Sequence, residues 1–267
     1  MHSFRLKRSL EGELSKFLTL KPLSLFCGIS LVFVILFSLL DSYGVAKAIR
    51  TNSSILAEGV SAETAGLSNF LLFAFIPIVT GVLLASSEYS SGQMITSSLA
   101  VPHRSILLAT KLLVSAIASL TFGAVMALST LSTYQVMLGD KSIWESGTVS
   151  AYLTRLSIAG LYWLFLGAMS TSIAVLIRSQ VVALTLMVML SFGGISLLLI
   201  SPEFQYCPTV AGMIMFNPEQ ALGLPHQPTM TSSEATMVVF CWAAVLIVMS
   251  FIAFNKRDVG ARQVNIE

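Results

Sequence analysis

Three histidines, His2, His103 and His226, and three cysteines, Cys27, Cys207 and Cys241, are the residues with the widest chemical reach in this chain. No histidine falls inside a long apolar run, and there is no H-E-x-x-H pair to hold zinc. The cysteines are odd in number and scattered, which gives neither a disulfide framework nor a metal spacing. They read as small apolar packing residues. No carboxylate stands centrally in an apolar run, so an intramembrane protease would lack its reactive groups, and a proton or sodium relay is disfavoured. Thr121, Ser129, Thr171 and Thr185 lie in such runs without a base nearby in sequence, where hydroxyls usually back-bond or pack helices. A G-x-x-x-x-G-K-[ST] phosphate loop is missing too. The expectation is a protein that is not an enzyme and carries no metal or cofactor of its own. If ATP drives it, another chain binds the ATP.

Polar and conformationally special residues gather instead between two apolar runs. From Ser87 the chain reads Glu88, Tyr89, two serines, Gly92, Gln93, Met94 and so on to Leu99, Pro102, His103 and Arg104, with Lys111 soon after. A loop of this size can form a short helix lying across a membrane surface. Glu88 and an exposed Tyr89 would offer polar contacts to a partner, Gly92 permits close backbone approach, and Pro102 ends the element. The alternative is an ordinary interhelical turn with Glu88 solvated.

The elements that must carry this loop follow from composition. Over 267 residues, 55% are hydrophobic and 10% charged, with a mean hydropathy of +0.84. Soluble domains carry about 25% charged residues, so this chain could not cover a globular surface. The net charge of +2 gives no reason to expect nucleic acid. Apolar runs near the ~20 residues that cross a hydrocarbon core lie at 22–40, 67–87, 106–138, 156–177, 181–200 and 235–254. The third is longer than one membrane thickness, and its Lys111 end is expected to project into the cytoplasm or to snorkel. Arg178, Ser179 and Gln180 divide what would otherwise be one impossible span. The first run is expected to be kept as a helix and not cleaved as a signal, because its leader is long and contains Glu11 and Glu13. That leader, residues 1–21, has Phe4, Leu6, Leu10, Leu14, Phe17 and Leu18 at helical spacing and reads as an amphipathic interfacial helix in contact with membrane lipid.

The reading is an all-α membrane protein: an interfacial helix at 1–21, six transmembrane helices within 22–254, and a tail at 255–267. With both termini cytoplasmic, eleven Lys and Arg stand inside and Lys47, Arg50, Lys141 and Arg155 outside, in keeping with the positive-inside rule. Residues 201–234 hold five prolines and the apolar stretch Met213-Ile214-Met215-Phe216. They predict one or two short re-entrant helices between the fifth and sixth spans. Phe73 and Phe75 near Pro77, and Met187, Met189 and Phe192 before Gly193 and Gly194, could wall an apolar substrate pathway.

The loop series Glu88, Gly92, Leu99, Pro102, Arg104, Lys111 resembles that of the membrane subunits of ABC-2 type transporters. Glu13-Leu14-Ser15-Lys16 is similar to the E-x-x-K of their leader, and Asn217-Pro218 and Asn255-Lys256-Arg257-Asp258-Val259 are similar to later features. Gln93 departs from a frequent Thr. The resemblance covers essentially the whole chain. It implies a permease of the bacterial inner membrane that pairs with a second membrane subunit, identical or not, and with two ATPase subunits that bind ATP and magnesium. It implies that Glu88, Tyr89, Gly92, Gln93, Met94, Pro102, Arg104 and Lys111 couple to the ATPase, with Glu13 and Lys16 in a second contact. Export of an amphipathic antimicrobial peptide or antibiotic is the expected activity. A membrane sensing or immunity protein for a toxic peptide, or an ATP-independent secondary transporter, is the alternative.

Overall fold

The structure, a computed structural model, describes residues 2–51, 60–90, 104–224 and 226–256. Ten α-helices occur among these residues: α1 His2–Thr19, α2 Lys21–Thr51, α3 Asn69–Leu72, α4 Phe75–Ser90, α5 Arg104–Leu138, α6 Ile143–Ser146, α7 Val149–Ile177, α8 Gln180–Leu198, α9 Pro208–Phe216 and α10 Ser232–Lys256. No strand is present among them. Six segments are long and apolar enough to cross a membrane: Lys21–Thr51, Asn69–Tyr89, Arg104–Lys141, Val149–Ile177, Gln180–Leu198 and Ser232–Lys256. The chain is therefore all-α with the character of a multi-pass membrane protein.

Prolines set the breaks. Pro22 falls in the first turn of α2, where its missing N–H costs no helical bond. Only Leu20 separates α1 from α2. Pro77 divides the second span: α3 stops at Leu72, and Ile76 donates to the Phe73 carbonyl in a tighter turn before α4 proceeds. The division between α7 and α8 falls at Arg178 and Ser179, where a left-handed Arg178 (φ 56°) reverses the chain.

Three helices overrun their apolar runs. α2 continues past Leu40 to Thr51, so Asp41, Lys47 and Arg50 are helical and not in a loop. α7 begins at Val149 instead of Leu156 and takes in Arg155, and α4 reaches Ser90. Hydropathy marks where a helix meets lipid, not where its backbone hydrogen bonds end. The sequence after Leu40 offers no proline to end α2. Its 31 residues span about 46 Å at 1.5 Å each. The far ends of α2 and α5 close on each other reciprocally. Arg50 Nη2 donates to the Met137 carbonyl (2.6 Å), and Lys141 Nζ donates to the Ile49 carbonyl (3.0 Å). Cations at helix C-termini suit the dipole.

The second and fourth spans form the centre, each 72% buried in its apolar window, against 28%, 28% and 22% for the first, fifth and sixth. Small residues let the central backbones touch. A Cβ on Gly81 would stand 2.6 Å from the Gly167 carbonyl, and one on Gly123 would stand 3.2 Å from Gly160 Cα. Ser115 Oγ donates to the Gly167 carbonyl (3.1 Å) and Thr171 Oγ1 to the Gly81 carbonyl (3.3 Å). This is the packing expected where the hydrophobic effect cannot drive helices together. Between α8 and α10, every residue of α9 is buried. Gly212 is required there, because a Cβ would meet the Tyr162 ring at 2.2 Å.

Candidate functional site: a buried ion quartet

Glu13, Lys16, Glu88 and Lys111 meet at one end of the bundle, although three separate segments supply them. Lys111 Nζ lies 2.9 Å from Glu13 Oε2 and 3.0 Å from Glu88 Oε1, and Lys16 Nζ lies 3.0 Å from Glu13 Oε1 and 2.5 Å from Glu88 Oε1. Two acids and two bases thus alternate in a closed ring without net charge. Glu13, Glu88 and Lys111 are 2%, 2% and 1% exposed, while Lys16 keeps about a third of its side chain open. The second Glu88 oxygen is buried with no hydrogen-bond partner among the described residues. A hydrogen bond of 3.0 Å between Ser9 Oγ and Thr110 Oγ1 lies beside the ring, from α1 to α5.

The local sequence explains the geometry. Glu13 and Lys16 are three apart on α1 and share a face. Ser9 precedes Glu13 by four and adds to that face. Leu10 and Phe17 flank it and pack toward Leu23, Leu84 and Val114. Leu14 and Leu18 turn outward at 44% and 66% exposure. α1 therefore presents Ser9, Glu13 and Lys16, flanked by Leu10 and Phe17, to the protein and turns Leu14 and Leu18 to its surroundings. Lys16 sits inside opposing influences. Burial lowers its pKa, but the Glu88 hydrogen bond and the two carboxylates outweigh that and leave it above the ordinary 10.5.

Three expectations change. Lys111 does not project or snorkel; it is fully buried, because two carboxylates replace its water. Glu88 is neither solvated nor turned toward a partner, since its carboxylate faces Lys16 and Lys111. Tyr89 is half-buried, not exposed, and its ring lies under the Arg178 guanidinium at 5.7 Å. Arg104 opens α5 half-buried, one residue before Ser105, whose hydroxyl reaches Asn255 of α10 at 3.2 Å. Gly92, Gln93, Met94 and Pro102 lie outside the described residues. The inner end, so named because α1 and the close of α10 share it, thus gathers α1, α4, α5, the α7–α8 turn and α10.

The residues expected to wall a pathway are not brought to one surface. Phe73 is 1% exposed and packed on Phe37 (5.2 Å), Phe33 (5.7 Å) and Phe75 (6.0 Å). Met187 is buried in the core, whereas Met189 and Phe192 face outward from α8.

Sequence reasoning did not anticipate two polar groups at the other end. Tyr134 of α5 donates its hydroxyl to Asp41 of α2 and accepts from Asn69 Nδ2 (2.6 Å). Arg155 of α7 grips Glu219 with two bonds of 2.5 Å. That hydrogen-bonded guanidinium holds the Glu219 carboxyl below its ordinary 4.5. No short motif signals either group, because the partners stand 28 to 93 residues apart.

No protein-family model matches the chain, and no curated protein matches it.

Proposed function

We propose that the chain is the membrane-spanning permease subunit of an ABC exporter of the ABC-2 type, in a bacterial inner membrane with both termini cytoplasmic. Two ATPase subunits on separate chains bind ATP and magnesium, and a second permease subunit completes the assembly. The substrate is an amphipathic molecule such as an antimicrobial peptide or antibiotic. α9 and its flanking turns act as the re-entrant segment of the outer side.

The ion quartet carries this reading. The resemblance assigns the α4–α5 connection and the E-x-x-K of α1 to contact with the ATPase, and the quartet ties those two elements together through Glu88, Lys111, Glu13 and Lys16. A push on either is delivered to both, and through α4 to the centre of the bundle. The buried carboxylates and ammoniums make the joint stiff, because breaking one contact leaves an uncompensated charge.

The test is co-purification with a neighbouring ATPase, followed by transport and ATPase assays on Glu88→Ala and Gly92→Trp. Both variants are expected to lose ATPase stimulation and transport. Unchanged values in both would remove the coupling role.

A further inference from the structure

The last turn of α4 faces two ways. Glu88 points into the quartet, toward α1 and α5. The next residue, Tyr89, is turned by about 100° around the helix and meets the α7–α8 turn, where the Arg178 guanidinium stands over its ring at 5.7 Å. Arg178 is the one non-glycine residue with positive φ among the described residues (56°). A left-handed residue that closes a helix is usually glycine or asparagine, because a Cβ is strained there. The Arg178 amide does the closing work of such a residue, donating to the Ala174 carbonyl at 2.9 Å. Glycine could do that equally well, so the backbone does not explain the arginine. The side chain does: its cation sits at the C-terminus of α7, where the dipole favours it, and over an aromatic face, where the ring quadrupole favours it.

We propose that Arg178 is a positioning residue for Tyr89. It clamps the last turn of α4 to the α7–α8 turn, so that a load on the α4–α5 connection reaches both halves of the bundle. α4 and α7 are already joined at mid-height by the Gly81–Gly167 contact, and further out Trp163 Nε1 of α7 donates to the Phe70 carbonyl of α3 (2.8 Å), the first half of the same span. The Arg178–Tyr89 stack extends that junction to the inner end. The functional consequence rests on the permease reading; the clamp itself does not.

Two readouts separate these. The first needs no partner. In the full chain in lipid nanodiscs, hydrogen exchange of the Ser86–Ser90 amides is expected to rise at least about fivefold in Arg178→Gly and in Tyr89→Leu. Tyr89→Phe, which keeps the ring, should restore the wild-type rate. Arg178→Gly relieves the strained backbone, so its melting temperature should not fall, and faster exchange then cannot be general unfolding. Unchanged exchange in both disruptive variants overturns the clamp. The second readout is substrate moved per ATP in the complex with the ATPase, expected to fall at least about fivefold in the same two variants and to recover in Tyr89→Phe. Raised exchange with an unchanged ratio overturns the role in transmission. Failure of the wild-type chain to bind any ATPase removes the permease reading, while the exchange result still decides the clamp.

Discussion

Two polar clusters share α5, one near each end, and they are built on different principles. At the inner end Lys111 joins three other charged side chains in a closed ring. Toward the outer end Tyr134 joins Asp41 and Asn69, a single formal charge held by hydroxyl and amide. The two α5 residues are 23 positions apart, about 35 Å along a helix, close to the roughly 30 Å of a hydrocarbon core. The clusters are thus separated by about the thickness of the layer that such helices cross. Deleting one member of a ring of mutually neutralised ions leaves a buried charge uncompensated, whereas deleting the Tyr134 hydroxyl leaves neutral and singly charged partners short of a hydrogen bond. The inner joint is suited to transmitting displacement, and the outer one to anchoring helices that continue beyond it.

The sharpest way to break this contrast is Lys111→Met. It leaves two buried carboxylates facing a single Lys16 that is itself about a third exposed, and should cost about 3–5 kcal/mol of stability, measured by unfolding in detergent or bicelles. A loss below that of the outer variants would undo the distinction. Lys16→Met leaves the same two carboxylates facing Lys111 alone and should cost less than Lys111→Met, about 2–3 kcal/mol, because this amine remains partly in water. Tyr134→Phe removes the donor to Asp41 and the acceptor of Asn69, and is expected to cost about 1–2 kcal/mol in the same assay.

pH separates the ends as well. The Lys16 pKa is raised, so its contribution is complete below 10.5 and fades as pH climbs through the raised value. The Glu219 pKa is lowered, so the Arg155 pair contributes fully above 4.5 and fades as pH falls through the lowered value. Melting temperature should show no step from these two groups between about pH 5 and 10. An alkaline loss should weaken in Lys16→Met and an acid loss in Arg155→Met. If the two variants altered the opposite limbs, the assignment of each group to its end would fail.

Much of this architecture was legible. Apolar length placed six spans, Arg178 and Ser179 gave the tight turn, and the prolines around α9 announced short helices. Glu13, Lys16, Glu88 and Lys111 each stand out in the sequence. What the sequence could not show was that they are one site. Hydropathy treats each charge alone, and so sends Lys111 to the surface. Its burial depends on carboxylates 98 and 23 residues away, whose approach is a property of how α1 and α4 fold against α5. The overrun of α2 and α7 was hidden for a related reason, since helices persist into water wherever nothing breaks the backbone ladder. The two Met and Phe groups misled because spacing alone cannot tell Met187, which faces the core, from Met189, which faces out.

The central claim is that the quartet joins the α4–α5 connection to α1 so that one external motor drives both. Its most direct test is ATPase stimulation and substrate transport by Glu88→Ala in the purified complex with the ATPase. Glu88→Ala should leave assembly intact while stimulation of the ATPase and transport both fall to near background. Wild-type stimulation and transport in that variant would contradict the account.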